Sequence, residues 1–107
     1  MASACTKNNT VEFTEDELDQ VVSIFKALAD ATRLRVLSIL TKEEQLCVSD
    51  IAHALDMSIS RVSHHLGILN NLGFVKAKHE GKQVYHRIHD PCIIDIMKRS
   101  KEHVSGT

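Results

Sequence analysis

The sequence predicts a mainly α chain with one small β-hairpin, and three observations carry that prediction. Apolar residues recur at helical spacing through most of the chain. After Gly73 that spacing gives way to two short runs of β-branched and aromatic residues around a glycine. Between the longer helical segments, Cys47 to Gly73 reads as two short amphipathic helices joined by a tight turn. Two helices joined in this way and followed by a hairpin make a winged helix-turn-helix.

The 107 residues have room for one core. Residues 1–13 are polar and form an arm that includes Cys5, and residues 14–104 form the domain. Thr14-Glu15-Asp16-Glu17 is a capping box that opens a helix through Ala29, with Leu18, Val21, Val22, Phe25 and Leu28 as its apolar stripe. Residues 31–42 are apolar around much of a helix, which predicts a central position. In the next helix Val48, Ile51, Ala52 and Leu55 fall on one face. Asp56-Met57-Ser58 interrupts the pattern, and Ser58 is a good N-cap for the helix that follows.

In that second short helix Ile59, Val62, Leu66 and Leu69 are expected to face inward, leaving Ser60, Arg61, Ser63, His64 and His65 outside. One arginine, two histidines and small hydroxyls can hydrogen-bond phosphates and base edges, so this helix is the expected DNA reader. Phe74, Val75, Ala77, Val84, Tyr85 and Ile88 then flank a turn at His79-Glu80-Gly81-Lys82. This is the wing, and Lys76, Lys78 and Lys82 are its expected contacts to the DNA backbone or minor groove. Asp90 as N-cap and Pro91 at the first helical position start a last helix, which runs through Ile93, Ile94 and Met97 towards His103.

Charge is segregated along the chain. Residues 1–30 carry Lys7 and Lys26 against six acidic side chains, a net −4, whereas residues 58–88 carry five Lys and Arg against Glu80, a net +4. The positive half coincides with the reader helix and wing, the electrostatic footprint of a DNA face. No apolar run approaches the roughly 18 residues of a membrane span, and no signal-peptide core is present, so a cytoplasmic protein without membrane partners is expected. Three widely spaced cysteines do not form a disulfide framework and leave thiols free for metal or redox chemistry. No nucleophile–base constellation and no phosphate-binding glycine loop points to an enzyme. His53, His79, His86 and His89 read as surface or interface residues.

FKALADATRLRVLSIL, QLCVSDIA and SISRVSHHLGILNNLGFVKAKHEGKQVYHRI together resemble the ArsR/SmtB family of metal-responsive winged-helix repressors, over roughly residues 18–104. The resemblance implies a homodimer paired through its first and last helices. It also implies binding to double-stranded operator DNA with an inverted repeat, and release when a divalent metal such as Zn(II) or Cd(II) binds. The family's site on the last helix is matched by Asp90 and His103, with Cys92 in place of a histidine and Gly106 where a fourth ligand would stand. Cys92 and His103 return to nearly the same helix face but lie roughly 16 Å apart along the axis, too far to share one ion within a chain. Two antiparallel copies of the helix would be needed.

A second family site is matched by Cys47 and Asp50 at a helix start, with Cys5 from the arm. Here the helix dipole is expected to favour a thiolate, and two sulfur ligands would favour a soft ion. The alternative function is a thiol sensor of oxidants, persulfide or trivalent arsenic that uses Cys5, Cys47 or Cys92.

Overall fold

The computed structural model describes residues 10–106, and Cys5 lies outside them. The helices are α1 (Glu15–Leu28), α2 (Ala31–Leu40), α3 (Val48–Leu55), α4 (Ile59–Asn71) and α5 (Cys92–Ser105). The strands are β1 (Leu46–Cys47), β2 (Val75–Glu80) and β3 (Gln83–Ile88).

Local chemistry sets most helix starts. The Thr14 hydroxyl accepts from the Glu17 amide and the Glu17 carboxylate accepts from the Thr14 amide, the reciprocal box expected. Asp30 and Ser58 cap α2 and α4 by accepting from the Arg33 and Arg61 amides. Pro91 has helical dihedrals just ahead of α5, and Asp90 Oδ1 accepts from the Cys92 amide at 3.0 Å. Asp56 ends α3 in the left-handed region (φ 54°), where a short polar side chain is tolerated, and so makes the sharp turn into α4. Gly81, at φ 62°, opens the two-residue connection of the hairpin, a position that favours glycine.

The hairpin is one strand short of the whole sheet. Leu46 and Cys47 pair with His86 and Tyr85, so β1 joins an antiparallel sheet in the order β1-β3-β2. A two-residue strand has no periodicity to read, and only its distant partner reveals it. The pairing ties the root of the wing to the start of α3. The core lies between the helix-turn-helix and the sheet: Val36, Leu37, Ile51, Val62, Leu69, Val75 and Ile93 are fully buried. Phe74 joins wing to core, its carbonyl accepting from the His89 amide.

The stripe on α1 is mostly uncovered. Of its expected apolar positions only Leu28 is buried, while Leu18, Val22 and Phe25 are 40–56% exposed. Leu34 of α2 and Val104 of α5 are exposed as well.

Candidate functional site

α4 presents Ser60, Arg61, Ser63 and His64 to solvent, as its periodicity predicts, while Val62, Leu66 and Leu69 fill the core. Ser58 is exposed at the helix start, with its oxygen engaged as the cap. Two residues depart from expectation. Ile59 is 51% exposed rather than inward, because the first turn of α4 projects beyond the core; there an apolar side chain can meet a thymine methyl. His65 is half-buried and faces α2, with Nδ1 3.1 Å from Arg33 Nη1. Burial, opposed in part by the Asp30 carboxylate, lowers its pKa below the ordinary histidine value. His65 is thus an internal link and does not stand on the outer face.

The wing gathers its charge on one side. Lys76 pairs in register with Arg87, and Lys78 with Tyr85, so Lys76, Lys78 and Arg87 share an exposed face, with Lys82 at the tip. Like charges directly opposite on two strands repel, an arrangement that a polyanion relieves. Lys78 also meets Glu80 at 3.2 Å, an exposed pair of little energetic weight. The basic composition of the wing signals its role, but Arg87 joins Lys76 only through the strand register.

The candidate metal ligands fall into two settings. Cys92 is exposed at the start of α5, beside Asp90. Hydrogen bonding to the Asp90 carboxylate, and then its charge, raise the Cys92 thiol pKa. His103 is exposed near the far end of the same helix. Cys47 instead is buried where β1 runs into α3, its Sγ 3.2 Å from Ser49 Oγ, and Asp50 points to solvent. Among the described residues, no three His, Cys, Asp or Glu side chains of one chain converge on a point. Cys92 is exposed with the half-buried Asp90 beside it, a donor pair suited to a borderline ion that would need ligands from elsewhere to complete a shell.

His86, read from the sequence as a surface or interface residue, lies on the three-stranded sheet. It is half-buried on β3, its pKa lowered by burial, and its Nδ1 has no hydrogen-bond partner among the described residues. No helix among those residues is long and apolar enough to cross a membrane.

Comparison with known proteins adds to this geometry. The family model described as "Bacterial regulatory protein, arsR family" matches residues 30–77, which run from the cap of α2 into β2. A cadmium resistance transcriptional regulatory protein CadC homolog of Staphylococcus aureus is 39% identical over 83 residues, covering 78% of this chain and 69% of that one. The crystal structure of the AntR antimony-specific transcriptional repressor superposes with a TM-score of 0.81 at 32% identity, over 94% of this chain and 90% of that chain. A homodimeric winged helix-turn-helix DNA-binding domain from Mycobacterium bovis, described as a possible ArsR-family regulator, matches with a TM-score of 0.76 at 28% identity, over 92% and 96% of the two chains.

Proposed function

The chain belongs to the ArsR family of bacterial regulatory proteins, and we propose that it is a homodimeric, metal-responsive transcriptional repressor. The observation that carries the DNA half of this reading is the exposed Arg61 of α4 together with the exposed basic residues of the wing. Ser60, Arg61 and His64 on α4 would read base edges, while Lys76, Lys78, Lys82 and Arg87 would hold the backbone.

The dimer half rests on the uncovered apolar face. Phe25, Leu34, Ile96, Met97 and Val104 line a groove of about 770 Å³ between α1, α2 and α5, open on its outer side. A second copy of the same face would bury it, as the homodimeric relative suggests. A soluble chain rarely leaves this much contiguous apolar surface bare.

For the inducer, the reading places a divalent ion at Asp90 and Cys92, with His103 supplied by the second copy. When bound there, the ion would cross-link the two subunits and bias their relative orientation, which sets whether both reader helices fit successive major grooves. The second reading, a thiol sensor of trivalent arsenic or antimony, is favoured by one finding: the structurally similar relative is named antimony-specific.

Selection from a randomised duplex pool, followed by titration of the selected duplex complex, tests the proposal. The expected product is an inverted repeat with half-sites about one helical turn apart, released by Zn(II) or Cd(II). Release by arsenite, antimonite or persulfide but by neither divalent ion would replace this reading with the thiol one. Selection of no preferred sequence would remove the DNA reading.

A further inference from the structure

One guanidinium ties three elements together. Arg33, in the first turn of α2, donates its Nε–H to the Ala27 carbonyl near the end of α1 at 2.7 Å. Its Nη1 lies 3.1 Å from Nδ1 of His65, midway along α4, and 3.9 Å from Asp30 Oδ2. The Arg33 side chain is only 15% exposed. A guanidinium has donors and no acceptor, so the nitrogen facing it is the bare Nδ1 of a neutral imidazole with its proton on Nε2. α4 also packs through an apolar cluster, with Val36, Leu37 and Leu40 in one group with Val62, Leu66 and Leu69. Apolar burial is non-directional and resists rolling of a helix weakly, whereas a charge-assisted hydrogen bond fixes an angle.

We infer that Arg33 positions the reader helix for specific DNA binding by donating to unprotonated His65, and that specific binding weakens when His65 takes up a proton. The inference rests on α4 being the reader. A protonated imidazole has no acceptor left and sets a second positive charge against Arg33. The groups facing His65 are Asp30 and Arg33 of α2, and Arg61 and His64 of α4 itself. Lys26 of α1 lines the neighbouring cleft with Arg33. Burial first, helped by the positive charges of Arg33 and Arg61, lowers the His65 pKa against the pull of Asp30. The link is therefore intact at neutral pH and is lost as pH falls below the usual histidine range of about 6.5. Acid adds positive charge to exposed surface and so favours any duplex, which confines the expected loss to specific binding.

The test is fluorescence anisotropy of the full chain with a duplex that it selects from a random pool and with a scrambled duplex of equal length, from about pH 7.5 to about pH 5.5. Affinity for the selected duplex should fall several-fold in acid while affinity for the scrambled one holds or rises. Arg33→Ala and His65→Ala should each weaken selected-duplex binding about tenfold at pH 7.5, the double variant no more than either. Their salt slopes should match the wild type, because no phosphate contact is lost. His65→Asn, which keeps an acceptor near the Nδ1 position, should restore affinity and flatten the acid response. If Arg33→Ala does not fold, the His65→Asn pH profile still decides.

Two results would overturn the inference. One is additive losses with a shallower salt slope, which make His65 a direct DNA contact. The other is an acid response that His65→Asn leaves unchanged. Equal wild-type affinity for both duplexes would instead count against α4 as the reader.

Discussion

Cys47 and Cys92 stand at the starts of α3 and α5, yet their thiols live in opposite surroundings. Cys47 is closed in where β1 pairs with β3, and its sulfur touches only a neighbouring serine hydroxyl among the polar contacts described for it. Cys92 follows a proline and an aspartate with no strand over it, and it is exposed with the Asp90 carboxylate alongside. A shared position at a helix start leaves the two thiols with different access, because what covers each differs. The first cysteine is buried, and the second is open to solvent.

The largest effect that would sharpen or break this contrast is on metal affinity. Cys92→Ser and His103→Ala are each expected to lower Zn(II) or Cd(II) affinity by about 100-fold or more, with Cys47→Ser within about threefold of the parent. Competition against a chromophoric chelator reads this directly. An equal loss in Cys47→Ser would move the ion to Cys47, Asp50 and Cys5. Mixing Cys92→Ser with His103→Ala subunits should restore one complete set of ligands per heterodimer. No recovery, with heterodimers demonstrated, would mean that the ligands are not shared between subunits.

Stability should show the reverse order. Cys47→Ser puts a hydroxyl where a buried sulfur sat and is expected to cost about 1–2 kcal/mol in urea unfolding of the metal-free protein. Cys92→Ser should stay within about 0.5 kcal/mol of the parent. A similar cost at both positions would mean that Cys92 is covered in the assembled protein.

The smallest effect concerns reactivity. The thiolate is the nucleophile, and Asp90 raises the pKa of Cys92, so its alkylation by iodoacetamide should reach full rate only above the pH at which an ordinary thiol does. Asp90→Asn removes the charge and should accelerate the reaction about threefold at pH 8. Cys47 should react only through opening of the structure and should ignore the Asp90 substitution. Rapid alkylation of Cys47 in the folded protein would break the contrast between the two thiols.

Much of the candidate site was legible in the sequence because its chemistry is local. The capping box at Thr14, the Ser58 cap and the break at Asp56 need no knowledge of distant residues. The outward Ser60, Arg61, Ser63 and His64 follow from the inward Val62, Leu66 and Leu69 by helical geometry alone.

What the tertiary structure alone decided lies at the margins of those faces. Ile59 sits on the edge of the apolar stripe, and it is outside because the core ends before the first turn of α4. His65 sits on the opposite edge, and it is inside because Arg33, 32 residues earlier, waits there with donors to satisfy. β1 exists because β3, some forty positions on, offers two residues an edge to pair with. Periodicity assigns a residue to a face within a few tens of degrees. Which neighbour occupies that direction is set by chain-distant packing, and for a residue at the edge of a stripe this settles both its burial and its protonation state.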